Sequence, residues 1–539
     1  MHWILARQLS SSSSSGSSSI AIGVTASADR FDGSRRSCES GGGRHSTATW
    51  EGVPGGGPAA APSNGGTRAC PTRRVQLVRD FIHDSLYHPL EGYFSRRNTS
   101  GAGVVGSLQQ PLDFASMEGQ LQYLQAVREV YRQLQASWLT PVEILQPHYG
   151  RAIASCILRR WHEQAAHAAA AGQPELPLLI YEIGGGTGTL AANILDWLRT
   201  EHPLAYRRTQ YRCVEISPVL AAIQRRRLAE GGHAERFSVW QHDAADLAAW
   251  RRADGEAGSG RSSSGGGGSE EGAGQHSFIV MCEVLDNLPH DRVCRSTGSP
   301  EWQQTLVAEG DHQQGGGGLF SEVLQPASDP LILRCLQAAQ TADSSSDNSS
   351  LGTGLALSAL RAWRRLLGEA AAEVRWLPTG CLQLLDTLQQ ARPSHTLIAA
   401  DFDQLPEVVV GGVGAPLVAS THGGSTHDHG SYLVPRGSAD IFFPTDFRLL
   451  CTLYREAAAA AAASHRPPAS SASSSTGPAA AHAVVTAEHL STPAFMRQHA
   501  PDLSATRTRS GYNPLLQDYT NTAFFVGSCQ WQPGFNSDV

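Results

Sequence analysis

Apolar residues in this chain follow two periods. In VQLVRDFIHDSLYHPLEGYF, Val75, Val78, Phe81, Ile82 and Leu86 recur three or four positions apart, which predicts a helix. Pro89 and Gly92 break it and leave Tyr93 and Phe94 in a loop or short extension. Helical spacing returns over about 117–138 and about 149–171. Beyond Pro174 and Pro177 the apolar runs shorten. LPLLIYEI, TQYRCVEIS, RFSVWQHD, HSFIVMCEVLDNLP and HTLIAADFDQLP each read as a strand, while 190–199, 218–230 and, more weakly, 244–251 read as helices. Strand and helix alternating at this pitch predict an α/β fold with a parallel sheet covered on both faces. The segment TAFFVGSCQW is expected to pack back as a closing strand.

Polar tracts at 255–274, 313–318, 342–354 and 457–481 interrupt this core. They carry too little apolar surface to offset the entropy of ordering them, so disordered insertions are expected there, with a helix possible in the poly-Ala run. The resulting division is a disordered region 1–72, a helical N-terminal segment 73–177, a Rossmann-like core 178–456, a linker 457–483 and a C-terminal segment 484–539 packing on the core.

A net charge of −7 over 539 residues argues against broad nonspecific binding of nucleic acid, and no aromatic and basic platform for it is visible. The ten cysteines show no C-x-x-C pair and no zinc-like spacing; they read as free or buried thiols of a reducing compartment, and no metal site is expected. No apolar run is long enough to span a bilayer. The Ser-rich start carries Arg7, Arg30, Arg35 and Arg36, with Asp29 its first acid. This composition fits an organellar transit peptide, with the mitochondrial matrix preferred to the chloroplast, and an ordinary disordered tail as the plain alternative.

The stretch YEIGGGTGTL combines a strand, a glycine-rich turn and a helix start. Gly184, Gly186 and Gly188 permit positive φ and close approach of backbone to a ligand, and the helix N-terminus that follows favours an anionic group. The dinucleotide fingerprint G-x-G-x-x-G/A fails, because its third position falls on Thr189 or is lost at Thr187. The pattern is G-x-G-x-G behind Glu182, which resembles motif I of the class I S-adenosylmethionine-dependent methyltransferases. In that family the loop wraps the methionine half of the cofactor, an acid ending the next strand holds the ribose hydroxyls, and a third acid meets the adenine amine. Glu215 and Asp243 stand at those two strand ends. A structural glycine turn with surface acids is the plain alternative.

FIVMCEVLDNLPHD sets Glu283 and Asp286 directly after the fourth strand, where two carboxylates would suit the forked donors of a guanidinium. Capping of local backbone is their structural alternative. His290 reads as a solvent-facing loop residue rather than a base.

YHPLEGYF, PLDFASME, EIGGGTGTL, VEISPVLAAIQ and CEVLDNLP, in this order over 75–289, resemble the signatures of the MidA-like methyltransferases. The resemblance implies S-adenosylmethionine as cofactor, Glu283 and Asp286 as catalytic residues, and symmetric dimethylation of an arginine on a core subunit of mitochondrial respiratory complex I. The chain departs from the family at Gly185, Ala115–Met117, Cys282, Val284, Leu285, Phe402 and Asp403. An assembly chaperone that keeps the fold without catalysing, or a methyltransferase for another substrate, are the alternatives that follow.

Overall fold

The computed structural model describes residues 74–95, 105–134, 139–259, 275–296, 299–310, 319–346, 373–422, 425–464 and 482–532. All of these lie in one unit, Arg73–Val539. The expected tail 1–72 and most of the four polar tracts lie outside the described residues.

The described residues open with strand β1 (Val75–Leu77), where a helix had been expected to begin, because these residues pair antiparallel with a later strand. Helix α1 (Val78–Tyr87) follows and buries Val78, Phe81, Ile82 and Leu86. Next come α2 (Gln120–Leu134), the short α3 (Pro141–Ile144) and α4 (His148–Ala170). Strand β2 (Leu178–Ile183) is buried along its whole length and leads through the glycine turn to α5 (Thr189–Glu201). Then β3 (Thr209–Val214), α6 (Pro218–Glu230), β4 (Phe237–Trp240), α7 (Leu247–Ser259) and β5 (Ser277–Cys282) complete the predicted alternation.

Beyond β5 the chain makes β6 (Asp291–Arg295), β7 (Gln303–Glu309), β8 (Phe320–Pro326), α8 (Pro330–Ser346), β9 (Glu373–Leu377), α9 (Thr379–Ala391) and β10 (His395–Phe402). Strands β11 (Leu417–His422), β12 (Ser425–Asp428) and β13 (Asp440–Phe442) precede α10 (Phe447–Ser464). Strand β14 (His482–Ser491), α11 (Thr492–His499) and β15 (Thr522–Gln532) close the fold.

The main sheet has the order β14-β15-β10-β5-β2-β3-β4. From β10 to β4 its neighbours run parallel, while β15 pairs antiparallel with β10 and β14 with β15. Two apolar clusters cover its faces. One contains Ile180, Phe278 and Ile398 with α4 and α5; the other contains Tyr181, Ile279 and Leu397 with α8, α9 and α10. The parallel strands therefore read as continuous apolar runs, as strands covered on both sides must.

Two further sheets were not anticipated. Strands β1, β7, β6 and β9, with β8 on β7, form one; β12, β11 and β13 form the other. Helix α10 continues through the alanine run to Ser464, so the boundary drawn at 456/457 falls within it. Ala457, Ala458 and Ala461 are buried there, and small side chains on one face let the helix pack closely. Helix α7 likewise runs to Ser259, into the tract expected as an insertion.

Candidate active site

The parallel strands end around a cavity of about 420 Å³, and its walls include Gly184, Gly186, Glu215, Asp243 and Glu283. That volume and position, at the carboxyl ends of an open α/β sheet, are those of a small-molecule site.

The glycine turn is shaped by its backbone. Gly184, Gly186 and Gly188 have φ of 67°, 52° and 82°, which side chains with a Cβ rarely adopt. A Cβ on Gly184 would stand 2.8 Å from Val284 Cγ2. Gly188 N–H donates to Gly185 O at 2.8 Å and closes the turn onto α5. Gly188 is not among the cavity-lining residues; it packs against Gln224 and Leu228.

Glu182 does not reach the cavity either. It is buried below the turn, where it accepts hydrogen bonds from Tyr211 Oη at 2.8 Å and Cys213 Sγ at 3.5 Å. Its carbon lies 3.2 Å from where a Cβ on Gly185 would be. Burial pushes its carboxyl up to about 7. Glu182 and Gly188, expected as cofactor-binding residues, thus build the turn and do not line the cavity.

Glu215 ends β3 and is buried, yet it faces the cavity. Its oxygens accept from Ser217 N–H and from Gln224 Nε2, both at 2.9 Å. Burial raises its carboxyl to about 7. Gln224 Nε2 also reaches Gly186 O at 2.9 Å, so one amide ties the glycine turn to the acid. Gln224 is the last residue of the VEISPVLAAIQ signature, but its role was not foreseen. Glu143 on α3 was missed altogether. It is buried and accepts from Thr187 Oγ1 at 2.6 Å and from the Thr189 hydroxyl, and so fixes the turn from the opposite side.

Asp243 follows β4. Its Oδ1 accepts from Ala245 N–H at 2.8 Å, and its Oδ2 lies 3.3 Å from His83 Nε2. Burial opposes ionisation of Asp243, but the hydrogen bonds from His83 and Ala245 prevail and lower its pKa.

Glu283 directly follows β5 with φ of 54°, the left-handed region that costs a non-glycine residue about 1–3 kcal/mol. Its N–H donates to Ala400 O at 2.9 Å, which fixes this backbone. Asp286 lies one short turn on and is buried, and its Oδ1 has no hydrogen-bond partner among the described residues. The turn is held by Asp401 at the end of β10. Asp401 Oδ2 accepts from the N–H groups of Val284, Leu285 and Asp286 at 3.2, 2.8 and 3.2 Å. Asp440 of β13 accepts from Asn287 Nδ2 at 3.0 Å. Burial raises Asp401 and Asp440 to about 7, and holds Glu283 and Asp286 well above the ordinary carboxylate range.

Glu283, Asp286 and Asp440 meet in a smaller cavity of about 80 Å³, walled by Phe94, Phe402 and Phe442. Glu283, Asn287 and Phe94 line both cavities, so the two spaces adjoin. His290 lies outside both. It is buried rather than solvent-facing, because its ring stacks on Phe443 at 3.8 Å and burial lowers its pKa to about 4.

A family model for S-adenosyl-L-methionine-dependent methyltransferases matches residues 152–465, over half of the chain. The chain belongs to this family, the MidA-like methyltransferases. A COG1565 superfamily member from Burkholderia thailandensis bound to S-adenosyl-homocysteine is similar, with 16% identity and a TM-score of 0.45 over 84% of this chain and 88% of that one. An uncharacterized COG1565 protein of the same organism has 16% identity and a TM-score of 0.43, over 84% and 87% of the two chains. Comparison with curated proteins returned no match.

The methyltransferase's cavity fits S-adenosylmethionine. The positive-φ glycines leave room for close approach of backbone, and Glu215 offers a buried, double-acceptor carboxylate to vicinal hydroxyls. When bound, the cofactor supplies an electrophilic methyl group on a sulfonium sulfur. The chain's own contribution is to hold donor and acceptor in line and to exclude water, which can lower a displacement barrier by several kcal/mol.

Proposed function

We propose that this methyltransferase modifies protein arginine. Its proposed product is symmetric dimethylarginine on a core subunit of respiratory complex I, made in the mitochondrial matrix. The observation that carries the arginine reading is the small cavity beside the cofactor site. There Asp286 presents a buried, unpartnered oxygen next to Glu283 and Asp440, between three phenylalanine rings. A buried acceptor without a donor costs free energy that an incoming N–H group recovers. A guanidinium offers five such groups in a planar fork, and its faces stack on aromatic rings.

In this reading Asp286 and Asp440 orient the guanidinium, and Glu283 faces the nitrogen that attacks. That nitrogen bonds to the methyl carbon while the carbon–sulfur pair leaves with sulfur, and one N–H proton passes to the Glu283 carboxylate. Burial raises the pKa of Glu283, which makes it a stronger proton acceptor than an exposed carboxylate. The placement in mitochondria rests on the arginine- and serine-rich start, and the complex I substrate on the family resemblance.

Mass spectrometry of mitochondrial proteins from cells with and without this chain tests the proposal. The expected result is loss of one specific symmetric dimethylarginine. An unchanged arginine methylation profile, with a different class of methylated product missing, would overturn it.

A further inference from the structure

Helix α1 lies outside the segment matched by the family model, yet it contributes Arg79, Asp80, His83 and Tyr87 to the wall of the cofactor cavity. Of these, His83 touches a residue expected at the adenine end of the cofactor. Asp243 Oδ1 is committed to Ala245 N–H at 2.8 Å, so Oδ2 is the oxygen left for a ligand. His83 Nε2 lies 3.3 Å from that oxygen. Both side chains are partly exposed, at 42% and 40%, so the pair sits at the cavity surface and is open to exchange with a ligand.

We propose that His83 is a cofactor-binding residue that shares Asp243 Oδ2 with the adenine amine, so that cofactor capture releases a proton. An imidazolium donates to Oδ2 and competes with the amine for it. A neutral imidazole frees that oxygen and can present an unprotonated Nε2 as a second acceptor. Capture therefore favours neutral His83.

The groups facing His83 set the pH at which this happens. Asp243 is opposite; Asp80 and Asp84 share its helix, and all three raise its pKa above the ordinary value. His242 adjoins Asp243 and also lines the cavity, as does Glu215. Arg79 is engaged by Asp291 and Asp329, with contacts of 2.7 Å to each. Burial also raises Glu215, to about 7. Its share of any pH dependence must therefore be separated from that of His83. The inference rests on the cofactor site alone and is independent of which acceptor is methylated.

The test is calorimetric titration of the full chain with S-adenosylhomocysteine between pH 6 and 8, in buffers of different ionisation enthalpy. One pKa unit of linkage corresponds to about tenfold in affinity. Binding by the unmodified chain should tighten as pH rises and release protons. His83→Gln and His83→Asn, which keep a neutral polar side chain, should lose about tenfold of that change and release correspondingly fewer protons. The dependence left in these variants belongs to the buried carboxyls around the site, Glu215 among them. If both variants keep the full pH slope and proton count, His83 takes no part in capture and the proposal fails.

Discussion

Glu283 is the residue on which the proposed chemistry turns. Its left-handed backbone is held by Ala400 O, and its side chain stands where the cofactor cavity meets the acidic one. Replacing it with glutamine keeps the shape and removes the charge. Glu283→Gln is expected to lower kcat by about 10²-fold or more, the scale of losing one electrostatic contact made in the transition state. Binding of S-adenosylhomocysteine, measured by calorimetry, should change little. Gly186 gives the complementary case. A Cβ there meets nothing nearer than Val105 Cγ1 at 3.9 Å, so a larger side chain extends into the ligand's space. Gly186→Val should fold, with a modest loss of melting temperature from its φ of 52°, and should show no measurable cofactor binding. Glu215, Asp243 and Glu283 were legible in the sequence because each follows an apolar run. Asp440, His83 and Glu143 were not: none follows a strand of the parallel core, and the fold brings them in from distant segments.

Among the elements, α1 is anchored to the rest of the fold through Arg79. Arg79 donates from both backbone and side chain to the buried Asp291 of β6, and its guanidinium forks onto Asp329. Thr379 adds a hydroxyl to Asp291 at 2.7 Å. This network pins the helix that carries His83 and Tyr87 to the cavity. Removing one partner leaves a carboxylate buried against weaker donors, which costs about 3 kcal/mol. Arg79→Ala should therefore lower the urea midpoint at unchanged slope and weaken cofactor binding as well. An unchanged midpoint would show that the network does not anchor α1. The helical period of α1 was readable, but its first three predicted residues form β1, because pairing with β7 overrides local preference. Helix α10 crosses the boundary drawn at 456/457 because alanine favours helix, and composition alone does not show that one alanine face is buried.

For the whole molecule, the feature that matters is a set of carboxyls buried around the strand ends. Glu182, Glu215, Asp401 and Asp440 are each raised by burial to about 7. A folded-state pKa above the unfolded value means that the folded chain binds more protons, so its stability falls as pH rises toward and through the folded pKa. The buried His276, His290 and His395 act in the opposite sense, but only below their unfolded value of 6.5. Between pH 6.5 and 8 the carboxyls prevail, each contributing on the order of 1 kcal/mol. The ligand-free protein should melt at a lower temperature at pH 8 than at pH 6.5, by several degrees, in a calorimetric scan. A rise over that window would mean that these groups are ionised more easily than their burial implies. At this scale the parallel core was legible, since strands covered on both faces are continuous apolar runs. The two small sheets were not: their strands are short, down to the three residues of β13, and mix polar with apolar positions.

The proposed function is delivery of a methyl group from the cavity to an arginine held by Glu283, Asp286 and Asp440. It is tested most directly by incubating the full chain with methyl-deuterated S-adenosylmethionine and isolated complex I core subunits, then mapping the label by mass spectrometry. Label is expected on both terminal nitrogens of one arginine, with transfer by Glu283→Gln slowed by about 10²-fold. Label on a carboxylate, hydroxyl or lysine, or equal transfer by that variant, would contradict it.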